Sequence, residues 1–533
     1  MIKDQLHTDD GIPDGAAGVV TVSHTEANSK GGPLLEAVSK ALDELDIQGI
    51  LVREVGSTGL FSADPMVRIA SPDLSQIVYG DVHPDTVVDV LSKHLVFGEP
   101  DREQAIYQIP GTRTPVPNLP TMSDMEFFSR QSRVVSHRCG YIVPARIDDV
   151  LRSGGYLSQD AALGHTRDEV MGALESSGLH GHGGKGSTIM EQWGLAAEQT
   201  TETCLICNAL EVDEASVKDR YLLEGDPHAL IEGMAIAAYA LGARIGIIVV
   251  NPSYRLARAR LESAIAEARR HRRLGSNIRG GAFEFDLTVR SGPVGYAAGE
   301  ESALVSFLEG KAGPRTLSPE AVAAGLNGYP TIVGNVETFV RVTTIPFDAD
   351  QEDPLPTRLF TLEGTAVAGV VEVEVGTTLR DLVCGIGGTD ARDIKAICIG
   401  GRMGGILSPD LLDTPLTQQS YKWLSIWPGT GLVTVLDQST SILSWLQDHL
   451  RFAASESCGY CTPCREGLAQ ARMIGDKLGT SEGQTGDLAV LDQLSQYVRT
   501  SSMCSYGHAV PSGVTTALQH FGNEIREQVT AQQ

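Results

Sequence analysis

Four cysteines near the C-terminus carry the clearest chemical signal in the chain. Cys458, Cys461 and Cys464 stand at two-residue gaps within the stretch 456–467, and Cys504 follows forty positions after Cys464. Three thiolates so spaced reach one centre, with Gly459 letting the backbone curl and Pro463 stiffening the loop. Cys504 is the only later cysteine that can add a fourth thiolate. Such a set suits a [4Fe–4S] cluster. A structural zinc, which more often uses two separated Cys-x-x-Cys knuckles, and a redox-thiol reading stay open beside it. A disulfide fits poorly, because adjacent Cys-x-x-Cys pairs in a chain without a visible export signal point to metal or redox work.

A second candidate is the run 177–187, which places five glycines in the nine residues from Gly178 to Gly186. Its Gly181, Gly183, Gly184 and Lys185 cannot form a helix interior, and such a loop brings backbone N–H groups against a phosphate or a flavin. It is neither a Walker loop nor a clean Gly-x-Gly-x-x-Gly after a strand, and a flexible linker is the plain alternative. Further on, Gly299-Glu300-Glu301 opens a helix. Two carboxylates beside a glycine suit ribose hydroxyls or a flavin, or else are acids favoured at a helix N-terminus.

The elements that must position these residues alternate. Residues 18–22 read as a strand, 34–45 as a helix with apolar residues at helical spacing, 50–55 as a second strand, 66–70 and 77–79 as a hairpin, and 85–95 as a helix started by Pro84. This order resembles the thioredoxin-like ferredoxin domain, but the first 138 residues contain no cysteine, and Ser57 and Phe61 stand where two ligands of its [2Fe–2S] cluster would be. A domain 1–100 without a cluster is therefore expected, then a linker 101–129. Helices are predicted near 147–153 and 167–177, and a strand 203–208 leads into the acidic loop Glu211-Val212-Asp213-Glu214. The longest apolar stretch, 229–250, reads as a buried helix running into a buried strand 245–250; its uncharged run, Gly233 to Ala243, is too short to span a bilayer. The arginine-rich helix 254–271 suits a solvated or interdomain face. Residues 283–289 alternate as a strand, 357–435 are β-rich, and the chain is helical from 441 on. An alternating pattern of this kind gives a largely parallel sheet.

The net charge of −25 argues against a nucleic-acid binder and against docking on an anionic membrane surface. No signal peptide is visible at the N-terminus, so a reducing, cytoplasmic compartment is expected.

Taken together, the motifs resemble the NADH-binding flavoprotein subunit of respiratory complex I and its relatives in NAD-linked hydrogenases and formate dehydrogenases. The resemblance runs in order from about 130 to 525 through the glycine-rich loop, Cys207-Asn208-Ala209, Lys218-Asp219-Arg220, Leu223 to His228, Gly299-Glu300-Glu301, Asn335 to Thr338, Leu412 to Pro415 and the cysteine signature. It implies an α/β multidomain chain: a cysteine-free thioredoxin-like domain, a Rossmann-like FMN/NADH-type α/β domain (130–345), a β-grasp, ubiquitin-like domain (346–438) and a helical bundle with a [4Fe–4S] cluster (439–533). It implies an electron relay from NADH through FMN to the cluster and on to partner subunits: a thioredoxin-like ferredoxin subunit, further Fe–S subunits and a catalytic subunit. The cofactor contacts it implies are Gly181, Gly183, Gly184, Lys185, Asn208, Glu211, Asp213, Tyr296, Gly299, Glu300, Glu301, Asn335 and Thr338. The cluster ligands it implies are Cys458, Cys461, Cys464 and Cys504.

The chain departs from the family pattern at several positions. Ser187 stands where an aromatic lines the nicotinamide pocket, Gln192 where a lysine meets the flavin phosphate region, Leu210 where an acid binds the flavin, and Glu320 where an aromatic stacks on adenine. A lost stacking aromatic removes on the order of 1 kcal/mol. Two readings follow: an NADH dehydrogenase-type subunit with an altered pocket, or a subunit that keeps its cluster and serves as a wire or scaffold without reacting with NADH.

Overall fold

The computed structural model describes residues 12–13, 15–26, 31–72, 74–111, 113–181, 188–197, 203–311, 313, 325–348 and 355–532. The described residues form a mixed α/β chain with three sheets and a helical C-terminal part.

The first sheet has the order β2-β1-β3-β4-β5, built from Gly18–Ser23 (β1), Ile50–Val55 (β2), Val67–Ala70 (β3), Gln76–Tyr79 (β4) and Ala105–Ile109 (β5). β1 and β2 are parallel, while β3, β4 and β5 follow antiparallel. Alternation sends Val20, Val22, Val67, Ile69, Ile77 and Tyr79 to one face, where Leu34, Val38 and Ala41 of helix Gly31–Glu44 cover them. Val78, Tyr107 and Ile109 point the other way, into a core shared with the third sheet. The segment 101–129, expected to be a connector, thus contributes the edge strand β5. Its polar, proline-flanked setting hides a strand that only pairing with β4 creates.

The second sheet is wholly parallel, in the order β8-β7-β6-β9: Asp286–Ser291 (β8), Ile245–Val250 (β7), Cys204–Ala209 (β6) and Thr331–Asn335 (β9). Helix Pro227–Leu241 is buried on almost every side, which explains why its sequence is apolar without a stripe. Pro227 starts it, Asp226 accepts from the Ala229 N–H at 3.2 Å as its cap, and Gly242 ends it in the left-handed conformation at φ 69°. Arg138 pairs with the same Asp226 at 2.6 Å, both groups being buried.

The third sheet has the order β11-β10-β14-β12-β13: Thr357–Glu363 (β10), Gly369–Glu374 (β11), Ile394–Ile399 (β12), Gly405–Leu407 (β13) and Leu432–Asp437 (β14). β10 and β14 are parallel and the other pairings antiparallel. The C-terminal helices Ile442–Ser455, Thr462–Leu478, Asp487–Ser501 and Ser512–Gln532 bury Leu446, Leu450, Leu491, Ala517 and Ile525 together, against Ala396 and Ile406 of the third sheet.

Helix Arg255–Arg270 takes both roles its arginines allowed. Arg258, Arg269 and Arg270 are exposed, whereas Arg260, 6% exposed, reaches the first sheet and pairs with Glu54 at 2.5 Å. Thr25 adds a 2.5 Å hydrogen bond to Glu224 across the same seam. Among the described residues no helix is long and apolar enough to cross a membrane.

Candidate functional site

The carboxyl ends of β6 and β9 meet the N-terminus of helix Val336–Val342, and an open α/β sheet places its ligand crevice at such an edge. A cavity of about 140 Å³ lies there. Of the expected cofactor residues, Gly181, Asn208, Glu211, Tyr296, Gly299, Glu300, Glu301, Asn335 and Thr338 all line it. Gly183, Gly184 and Lys185 lie outside the described residues, as do Ser187 and Glu320.

Local structure aims each of these groups. Register pairs Asn208 with Asn335 on adjacent strands. Asn208 Nδ2 donates to the Gly299 carbonyl at 2.9 Å, tying β6 to the Gly299-Glu300-Glu301 turn. Asn335 accepts from the Glu337 N–H at 3.0 Å and so caps helix 336–342. Gly334 is required because a Cβ there would come within 2.6 Å of the Phe339 ring. Glu300 caps helix Glu301–Leu308 through its Oε2, which accepts from the Ser302 and Ala303 N–H groups. Its Oε1 is buried without a partner, as is Thr430 Oγ1 on the opposite wall. Buried polar atoms are ordinarily satisfied, so these two orphans fit a polar ligand in the cavity.

The floor is charged. Lys218, 2% exposed, holds Asp219 at 2.7 Å and Glu337 at 3.0 Å, and Asn335 Nδ2 donates to Asp219 at 2.6 Å. Burial pulls the Lys218 ammonium down, but Asp219, Glu337 and Glu211 outweigh it and hold its pKa up. Glu211 is pushed up to about 8, first by burial and then by the Asp219 charge. It accepts from the Asp219 and Arg220 N–H groups at 2.9 and 3.0 Å and from the Tyr254 hydroxyl at 3.1 Å.

Asp213 is placed differently from the expectation that it contacts a cofactor. It does not line the cavity; its carboxylate accepts from the Arg402 N–H at 2.8 Å and from the Tyr296 hydroxyl at 3.3 Å. The turn 400–402, which strand β12 delivers to the site, consumes it. Leu210 is buried beside Val249 and Leu304 and offers the cavity no carboxylate. Residues the sequence did not single out complete the wall: Trp193, stacked on Phe339 at 6.1 Å, Met403, Trp427 and Thr430 beside the third sheet, and Ser505 and Tyr506. Lys218 and Asp219 were visible only as parts of a motif.

The cysteines stand behind that wall. Gly459 takes the left-handed conformation at φ 74° that their loop needs. Cys461 is the N-cap of helix Thr462–Leu478, Cys464 sits in its first turn, and Cys504 is the N-cap of helix Ser505–Ala509. Helix N-termini favour thiolates. Cys464 and Cys504 are 4% exposed and share one buried cluster with Tyr296 and Tyr506. Burial pushes the Cys464 thiol up to about 11, and the neighbouring Cys461, Cys504 and Cys458 add to it. Among the described residues no three such groups stand close enough for a single metal ion.

The wall and the cysteines are continuous. Tyr506, two residues after Cys504, lines the cavity, and its ring lies 6.1 Å from that of Tyr296. The Tyr296 N–H donates to Glu456 at 2.6 Å, just before the cysteine signature.

Residues 174–344 match the family described as the Nuo51 FMN-binding domain, and residues 444–528 match the NADH-ubiquinone oxidoreductase-F iron-sulfur binding region. The chain is 35% identical over 412 residues to the NADP-reducing hydrogenase subunit HndC of Solidesulfovibrio fructosivorans, covering 75% of this chain and 84% of that protein. It is 34% identical over 386 residues to an NADH-quinone oxidoreductase subunit of Rhizobium meliloti, covering 70% and 91%. A chain in the crystal structure of an air-oxidized NAD+-reducing [NiFe]-hydrogenase shares the fold over 99% of this chain and 88% of that one, with a TM-score of 0.63 at 24% identity. The chain belongs to the oxidoreductase-F family of NADH-quinone oxidoreductases and hydrogenases, and it carries that family's FMN-binding domain and iron–sulfur binding region in order.

Proposed function

We propose that the chain is the electron-transfer subunit of a multisubunit oxidoreductase, taking electrons from NADH or NADPH through FMN to a [4Fe–4S] cluster. The observation that carries this reading is the shared wall: Ser505 and Tyr506 face the cavity while Cys504 belongs to the cysteine group. When bound, FMN accepts a hydride from the nicotinamide and releases electrons singly, so a cluster one residue behind its pocket is the expected acceptor.

The chain's own residues bind and orient. Gly181 and Asn335 would hold the flavin phosphate and ring, together with Gly183, Gly184 and Lys185 of the same glycine-rich run of the sequence; Lys218 supplies positive charge below it. Glu300 Oε1 and Thr430 Oγ1 offer polar atoms to the ligand. Cys458, Cys461, Cys464 and Cys504 would hold the cluster. Leu210 supports the second reading, a cluster-bearing wire or scaffold without flavin, because its burial removes an acid from the pocket. Retention of the orphaned Glu300 oxygen weighs against that reading.

The sheet orders support the finer domain assignment. In the first sheet, β2-β1-β3-β4 with β1 and β2 parallel suits a thioredoxin-like domain without a cluster. The third sheet's order, with β10 and β14 parallel in the middle, suits a β-grasp domain. The reading places the protein in the cytoplasm beside further Fe–S subunits and a catalytic subunit. Anaerobic purification with iron, sulfide and flavin analysis, followed by addition of NADH and NADPH, tests it. Iron with flavin that bleaches supports the relay; iron without flavin supports the wire.

A further inference from the structure

Arg53, Thr21, Arg68, Val78 and Tyr107 form one register row across all five strands of the first sheet. Cross-strand partners share a face, and this face is turned from helix 31–44 toward the loops of Thr58 and Gly140. Between face and loops lies a cavity of about 20 Å³, lined by Thr21, Ser23, Thr58, Arg68 and Tyr107 among others. That is room for one occupant of about the size of a water molecule.

Of its hydroxyls only that of Ser23 is engaged, donating to Asp64 and accepting from the Met66 N–H, both at 2.8 Å. Thr58, 9% exposed, has a buried Oγ1 without a hydrogen-bond partner. Thr21 and Tyr107 are 5% and 1% exposed, and among the described residues neither hydroxyl has an acceptor. The Arg68 guanidinium lies 5.3 Å over the Tyr141 ring, and Arg133 stands 5.7 Å over the same ring. Among the described residues no carboxylate lines the cavity. Asp64, whose field reaches Tyr107, is engaged by the hydroxyls of Ser23 and Ser57. Burial holds the Arg68 pKa below its ordinary value against the opposing pull of Tyr141 and Tyr107, and the Arg53 charge on the same face adds a smaller repulsion. Arg68 is half-buried, and a cation drawn away from water is costly unless it is paired. Among the described residues the side-chain oxygens of the lining are all hydroxyls, each able to donate. An anion accepts from all four donors and cancels the charge.

We propose that this cavity is a site for a single small monovalent anion, of chloride size, held by Arg68 and the hydroxyls of Thr21, Thr58 and Tyr107. Phosphate and carboxylate ligands are too large for it. The anion neutralises the Arg53–Arg68 face where the first sheet docks on the segment around Gly140, so halide binding stabilises that seam.

The test uses the full chain. Thermal unfolding is followed in increasing chloride or bromide against gluconate at equal ionic strength, and crystals grown in bromide are examined by anomalous diffraction. The expected result is a saturable, halide-specific rise in unfolding temperature, with a bromide peak beside Arg68. In Arg68→Gln the halide midpoint rises at least tenfold. If Arg68→Gln does not fold, Thr58→Val, which keeps the shape and removes one donor, carries the comparison and shows the same direction of change. Equal response to halide and gluconate, an unchanged midpoint in the variant that folds, or a cavity holding water without an anomalous signal would overturn the proposal.

Discussion

Lys218→Met removes the lysine that touches both Asp219 and Glu337 under the pocket, at 2.7 and 3.0 Å. All these groups are buried: Lys218 is 2% exposed, Asp219 3%, Glu337 0% and Glu211 8%. Methionine fills much the same volume, so the loss is electrostatic. Glu337 keeps Arg341 at 3.1 Å and Asp219 keeps Asn335, which limits the damage. Removing one partner of a buried pair costs about 3–5 kcal/mol. At roughly 2–4 °C per kcal/mol for a unit of this size, the transition should fall by about 6–20 °C. The loss must also depend on pH. Glu211 has its folded pKa raised from 4.5 to about 8, so the folded state binds more protons than the unfolded one and stability falls as pH rises across that window. The Lys218 charge opposes that rise, so without it Glu211 ionises still less readily, and the variant should lose more stability at the top of the window than near its foot. The assay is thermal unfolding of both proteins across pH 4.5 to about 8. A fall of less than about 2 °C, or the same fall at every pH, would refute this account of the floor.

Three further perturbations probe other parts. Cys461→Ser should abolish the broad visible absorbance and bring iron well below the about four per chain of an intact cluster; unchanged iron would remove Cys461 from the ligand set. Gly56→Ala places a Cβ 2.6 Å from the Gly225 Cα, so hydrogen exchange should rise along β1 and β2 while the second sheet stays protected. Asp213→Asn should weaken the turn at Arg402 by about 1–2 kcal/mol and leave the Michaelis constant for the nicotinamide nucleotide within about threefold, about 0.6 kcal/mol; a larger change would return Asp213 to the binding site.

Much of the fold is written locally. Period-2 and helical spacing, with Pro84, Pro227 and Gly242 as punctuation, mark most elements of the first two sheets. Strands β5 and β9 are the exceptions, because nothing in their own residues announces the pairings with β4 and β6. The cysteine signature is legible for the same reason: three of its four members are adjacent, and their spacing is the chemistry. The pocket is less so. Asn208, Glu300 and Asn335 come from three separate turns, and their convergence depends on the parallel register of β6 and β9. Trp427 and Thr430 arrive from the third sheet and Tyr506 from a C-terminal helix, and no sequence interval records those approaches. Asp213 shows the opposite failure: a carboxylate in a motif looks available until the fold supplies the Arg402 N–H and the Tyr296 hydroxyl that occupy it.

The central claim is that one chain joins a flavin pocket to an iron–sulfur cluster. Anaerobic protein assayed for iron, sulfide and acid-released FMN, then mixed with NADH and NADPH in a stopped-flow spectrometer, tests it directly. The account predicts about four iron and one FMN per chain, with bleaching of flavin and cluster by at least one of the two nucleotides. Iron at that level with no flavin, and no bleaching by either nucleotide after FMN is added back, would contradict it.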